Sequence, residues 1–250
     1  MINTILHKLK NGEHTIGSWL QLSSPDVAEI LGKSGYDWVA VDLEHGNFSR
    51  SMIKDIFRAL EINRTVPIAR VAQCTQQNIK EALDAGAQGI ILPMIQSRAQ
   101  LEEGVSWSYY PPKGKRGVGY SRANLFGSNF NEYVESFSSK VFIVAQIEHI
   151  DAVENLDDIL SVPELDAIMI GPYDLSGSMG ITGQFDNPDF INTLDVIYKK
   201  AKEHGVPMGL HVVQPDKEFL EEKIKQGYQF IAYGIDAVFL YNSSKNPYEV

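Results

Sequence analysis

The side chains best placed to do chemistry in this chain are three oxygen donors near the ends of two apolar runs. Residues 141–149, VFIVAQIEH, are apolar and β-branched enough for a buried strand, yet they carry Gln146 and Glu148 two positions apart. Side chains on a strand alternate between faces, so these two point the same way as Phe142 and Val144. An ionised carboxylate on the inward face of a buried strand requires something to neutralise it. Asp174 closes the next apolar run, AIMIGPYD, in the same fashion. Two strands ending in acids on one rim suggest a cation between them, the alternative being that each acid is solvated in its own loop.

Carboxylate ligands without a nearby pair of histidines or cysteines suit a hard divalent cation, Mg²⁺ or Mn²⁺, with Co²⁺ a further candidate. Two such ligands leave positions for water and for a bidentate small molecule such as a 2-oxo acid, whose carbonyl the ion would polarise toward an enolate. Arg70 ends another apolar run, VPIARV, and offers either a second positive charge at that oxygen or a salt bridge closing the rim. His45, following Asp42 and Glu44, is the candidate proton carrier, its ring oriented by either of those acids or by one contributed from elsewhere. In GPYDLSGSMG, Gly171, Pro172 and Tyr173 turn the chain. The small residues beyond Asp174 are expected to leave backbone N–H groups open to a substrate carboxylate. Trp19 and His211, at the ends of two further runs, complete the candidate substrate contacts. The glycine spacing matches neither a phosphate loop nor a dinucleotide fingerprint, so no organic cofactor is expected.

Eight short apolar runs must position these residues: 15–22, 38–44, 66–71, 89–95, 141–149, 167–174, 208–213 and 230–236. Helical stretches separate them, near residues 25–33, 52–63, 77–85, 99–109, 130–137, 152–160, 190–204 and 217–226, with another at 1–10. Near-continuous apolar strands alternating with helices call for a parallel sheet covered by helices. Eight units over 250 residues without a composition break predict a single α/β domain across residues 1–250, a closed (β/α)₈ TIM barrel. In such a barrel the chemistry lies at the C-terminal strand ends, where the polar residues gather here. A basic, glycine-rich segment at 111–127, PPKGKRGVGYSRANLFG, exceeds a simple connection, and its Lys113, Lys115, Arg116 and Arg122 are read either as a solvated loop or as a substrate or subunit contact.

The bulk properties set outer bounds. A formal charge of −10 argues against nucleic acid or an anionic membrane as partner. The single cysteine, Cys74, rules out an internal disulfide and has no second thiolate with which to share a metal. With no long apolar run, a soluble cytoplasmic protein is expected.

At these residues the chain resembles the HpcH/HpaI aldolases, metal-dependent class II pyruvate aldolases related to citrate lyase β subunits. The likeness is carried by GSWLQLSSPDVAEILGKSGYDWVAVDLEHG, VPIARV, ALDAGAQGIILPMI, PPKGKRGVG, VAQIEH and IMIGPYDLSGSMG. The resemblance implies Glu148 and Asp174 as metal ligands with Gln146 beside them, and Arg70 at the keto oxygen. It also implies His45 as the catalytic histidine and Asp84, on the helix before the fourth strand, as its acidic partner. The implied reaction is reversible cleavage of a 4-hydroxy-2-oxo acid, of the 2-keto-3-deoxy sugar acid or 4-hydroxy-2-oxoheptanedioate type, to pyruvate and an aldehyde through a metal-held enolate. Decarboxylation of oxaloacetate through the same enolate is the alternative, and a non-catalytic barrel the third reading. Two departures stand out. Only AVFLYNSSKNPYEV follows Asp236, where the family continues into helices exchanged between subunits, so a homo-oligomer is expected but not its size. His211 replaces an apolar residue, which implies a more polar or acidic aldehyde, or a different second substrate.

Overall fold

The reason the chain keeps returning in the same direction is visible where its helices start. Ser24, Ser49, Thr75 and Ser97 each come after a strand, and each side-chain oxygen accepts a hydrogen bond from a backbone N–H in the first helical turn. Every such cap contributes about 1 kcal/mol and fixes where the strand-to-helix loop ends. The computed structural model describes residues 2–137 and 141–248. Its strands are β1 (Thr15–Leu20), β2 (Trp38–Asp42), β3 (Val66–Arg70), β4 (Gly89–Leu92), β5 (Phe142–Ile147), β6 (Ala167–Ile170), β7 (Met208–Val212) and β8 (Phe230–Ile235). Each pairs in parallel with the next, and β8 closes on β1 through Thr15 with Phe230 and Ile16 with Ile231. The result is the closed (β/α)₈ barrel expected from the alternating pattern.

Strand parity divides the apolar residues into two packed layers. Ile143, Ala145 and Ile147 of β5 join the layer between strands and helices, whereas Phe142 and Val144 point into the barrel. Inside, Trp38 stacks on Phe230 with ring centroids 4.1 Å apart, and Phe142 lies 5.3 Å from Phe230. Gly17 makes room for that stack, since a Cβ there would fall 2.1 Å from the Trp38 ring. The helix Ile2–Lys10 buries Ile2, Ile5 and Leu9 against the same interior cluster. The foot of the barrel is therefore plugged, and polar groups are left for the opposite rim. Met1, placed on this helix from the sequence, lies outside the described residues. Among the described residues no helix is long and apolar enough to cross a membrane.

Four differences from the sequence reading have local causes. The fourth strand stops at Leu92 rather than at residue 95, because Pro93 has no N–H for the ladder and Met94 adopts a left-handed backbone at φ 53°. The sixth stops at Ile170, and Asp174 falls in the first turn of a helix, Pro172–Ser178, instead of at a strand end. That helix also takes in N–H groups expected to stay open beyond Asp174. The Leu175 N–H donates to the Gly171 carbonyl, and the Ser176 and Ser178 hydroxyls turn back onto the carbonyls of Tyr173 and Leu175. The basic segment is not a free cationic surface either. Arg116 is buried against Asp84 and Tyr133, and Arg122 bonds Glu61 and the Ala85 carbonyl. Lys113 lies over the Tyr109 ring. Beside the exposed Lys113 and Lys115, this segment presents the large apolar side chains Val118, Tyr120, Leu125 and Phe126.

Candidate active site

The C-terminal strand ends bring together residues from six strands. Asp42 ends β2 and organises the residues just beyond it. Its Oδ1 accepts the N–H groups of Glu44, at 3.1 Å, and His45, at 3.2 Å, which folds the chain into a tight turn. The same carboxylate receives Arg70 in a fork, Nε to Oδ1 at 2.9 Å and Nη2 to Oδ2 at 2.8 Å, and the Gln21 amide at 3.0 Å. Burial pushes Asp42 upward, but the Arg70 hydrogen bonds and charge, with help from His45 and Gln21, hold it below the usual carboxylate value. The third edge of Arg70, Nη1, meets Glu44 at 3.0 Å. Asp42 and Glu44 thus orient Arg70 and the turn rather than the His45 ring, a correction with its cause in the pairing of Asp42 with Arg70 between β2 and β3. His45 stands exposed on that turn.

Glu148, just past β5, is almost fully buried at 2 % exposure. One carboxylate oxygen accepts the Met94 N–H at 2.7 Å and the other accepts the Gln146 amide at 2.6 Å. Burial drives its carboxyl up to about 7, with Glu44 and Asp174 adding to the rise and Met94 and Arg70 opposing it. Glu44 is itself raised, first by burial. Beside this pair the amide oxygen of Gln146 is buried with no hydrogen-bond partner. Gly171 permits the close approach: a Cβ there would sit 2.6 Å from a Glu148 oxygen. Asp174 completes the group from the helix beyond it.

Three carboxylates, Asp42, Glu44 and Glu148, therefore act on one guanidinium, and Asp174 adds a fourth negative charge beside Glu44 and Glu148. Among the described residues no cluster of three or more His, Cys, Asp or Glu side chains forms a ready-made metal cage. The unpaired Gln146 oxygen and the raised Glu148 carboxyl nevertheless mark a place short of positive charge, and the donors are all oxygens. That chemistry fits a hard divalent cation between Glu148 and Asp174.

The remaining wall is aromatic. Trp19 carries Arg70 on one side, 4.5 Å from its ring centroid, and stacks on His211 at 5.3 Å. The Trp19 indole N–H is buried without a partner. His211 Nε2 lies 2.9 Å from the Gly234 carbonyl and must donate to it, since a carbonyl cannot. Burial lowers the ring to about 4, so it is neutral near pH 7. The charge that an acidic aldehyde would need from His211 is absent. Asp84 is not brought to this rim within the chain. It sits in the last turn of the helix Gln76–Ala85, at the foot of the barrel, and holds Arg116. A partnership with His45 would take a second copy of the chain.

Met94 was missed in the sequence, because its contribution is a backbone N–H and not a side chain. The one signal was Pro93, which ends the strand just where that N–H must leave the ladder.

A closed parallel barrel with carboxylates and an arginine gathered at its C-terminal rim has the layout of a barrel enzyme acting on a small molecule. Residues 15–243 match the HpcH/HpaI aldolase/citrate lyase family, and the chain belongs to that family. A hydroxypyruvate/pyruvate aldolase of Roseobacter denitrificans is 35% identical, over 98% of this chain and 95% of the relative. A 4-hydroxy-2-oxovalerate aldolase of Novosphingobium aromaticivorans is 34% identical, over 94% of this chain and 89% of the relative. The crystal structure of a family protein from Burkholderia cenocepacia superposes with a TM-score of 0.91 at 28% identity, over 97% of this chain and 96% of that one. The chain is a carbon–carbon lyase of the aldolase type.

Proposed function

We propose that this rim reversibly cleaves a 4-hydroxy-2-oxo acid to pyruvate and an aldehyde, with Glu148 and Asp174 holding a divalent cation, Mg²⁺ or Mn²⁺. The observation that carries the reading is Glu148: a carboxyl buried between two donors, with an unpaired amide oxygen and two further acids beside it. When bound, the cation supplies a Lewis acid at the 2-oxo group. Arg70 is held rigid by the Asp42 fork and presents Nη1, now shared with Glu44, to the oxygen on which enolate charge develops. His45, exposed on the Asp42 turn, takes the proton of the C4 hydroxyl as the C3–C4 bond breaks. The bond's electron pair stays with the three-carbon enolate, and a proton delivered to C3 then yields pyruvate. Trp19 and Gly171 shape the cleft, Gly171 by leaving Glu148 its space.

The exposed Val118, Tyr120, Leu125 and Phe126 support a homo-oligomer as the working unit, and within one the Asp84 of one copy could meet the His45 of another. The test is pyruvate methyl-proton exchange in D₂O. Exchange is expected with Mg²⁺ or Mn²⁺ and is expected to vanish with chelator or in Asp174→Ala. Undiminished exchange in excess chelator would refute the assignment.

A further inference from the structure

A second space lies beside the active rim, along the outer side of β7, between the helices Pro188–His204 and Lys217–Lys225. This cavity holds about 790 Å³, a volume suited to a ligand far larger than acetaldehyde. Pro172 and Tyr173 wall its upper end, and they stand in the chain between Gly171 and Asp174 of the active site. His211, stacked on Trp19, lines the same end. The cavity thus adjoins the active rim at His211 and at the Pro172–Tyr173 turn, so a substituent long enough to pass over that turn reaches it.

Its walls are aromatic and ordered. Tyr173 meets Phe185 edge-on with centroids 5.0 Å apart, and Phe185 meets Phe190 at 5.5 Å. Phe219, Tyr198 and Tyr228 supply the facing side. Tyr173 is 62 % exposed and Phe219 41 %, so large apolar surface collects around the opening instead of being scattered. The charges that line it do not favour an anion. Lys223 donates to Gln226 and lies over the Phe219 ring, while Asp186 and Asp195 are both acidic. His211 is pinned to the Gly234 carbonyl and carries no charge near neutrality.

Resting on the aldolase reading, we propose that this cavity receives the substituent of the acceptor aldehyde, and that the substituent is an uncharged alkyl chain or aryl ring. A small aldehyde would leave the aromatic walls against water, whereas each methylene placed there favours binding by about fourfold. Apolar contact of this kind raises discrimination with chain length and needs no new polar group.

The experiment measures aldol addition of pyruvate to propanal, pentanal, heptanal and phenylacetaldehyde, using the full chain with Mg²⁺ or Mn²⁺. The expected result is kcat/KM at least about tenfold higher for heptanal and phenylacetaldehyde than for propanal. Leu194→Trp, which fills the cavity, is expected to bring that ratio to about 1. Phe219→Ser, at a more exposed position, reads the same ratio if the first variant folds poorly. A flat or falling series with pyruvate proton exchange intact overturns the proposal, as does Leu194→Trp changing only the oligomeric state, which would make the cavity a contact between copies. If the wild-type enzyme shows no exchange, the aldolase reading fails by itself. Calorimetric binding of heptan-1-ol against propan-1-ol then decides the cavity: tighter binding of the longer alcohol, lost in Leu194→Trp, supports it, and equal binding overturns it.

Discussion

Two arginines are nearly withdrawn from water, Arg70 at the rim with 8 % exposure and Arg116 near the foot with 1 %. Each pairs with an aspartate and lies against aromatic rings. Arg116 gives Nη2 to Asp84 at 2.6 Å and Nη1 to the Tyr133 hydroxyl at 3.0 Å, and it faces Tyr110. There one carboxylate answers one guanidinium, and the pair fastens the 111–127 segment to the helix Gln76–Ala85. Arg70 also has its aspartate, but Glu44 and Glu148 lie about it as well, and Asp174 adds its charge beside those two. A balanced buried pair holds structure, while an unbalanced one keeps a residual demand for positive charge. Chemistry is expected where the balance fails.

The largest expected effect comes from removing the residue at the centre of the imbalance. Glu148→Ala is expected to cut pyruvate release by about 10³-fold, with the circular-dichroism spectrum retained. Near-normal turnover would erase the distinction between the two sites. Arg70→Lys keeps the charge but loses the fork on Asp42, and a loss of about 10²-fold in kcat is expected. For Arg116→Ala the consequence shifts to stability, because Asp84 is left without its cation: urea unfolding is expected to show a loss of about 3 kcal/mol. A stable Arg116→Ala with abolished turnover would instead place Asp84 in the chemistry of another copy.

The smallest effect is in pH. Folded Glu148 keeps its proton up to about pH 7, whereas its ordinary value is 4.5. Between these values the unfolded chain binds fewer protons than the folded one, so metal-free stability falls as pH rises from about 5 to about 7. Asp166, which burial raises to about 6, adds a slope of the same sign over the lower part of that window. Glu148→Gln should flatten the upper part and leave the part due to Asp166. Urea midpoints at successive pH values test both.

Much of the barrel could be read from local pattern, because each strand and helix is set by residues within one segment. The inward parity of Gln146 and Glu148 is a consequence of the alternation in VFIVAQIEH, and the structure keeps it. Asp174 was misplaced because an apolar run says little about where its last ladder bond falls; Pro172 starts a helix there. The basic segment was misread for a different reason. The acids that neutralise Arg116 and Arg122, Asp84 and Glu61, lie 32 and 61 residues earlier in the chain.

The sequence by itself determined the alternation of strand and helix, the eight-fold count, and the types of side chain carried to the rim. These are consequences of periodicity and of the preference of each segment for one backbone geometry. Only the tertiary structure decided which carboxylate Arg70 takes, that Glu148 is held by the N–H of Met94, and that His211 is neutral. Those outcomes depend on burial and on partners brought from other strands, and closing the barrel is what makes them neighbours.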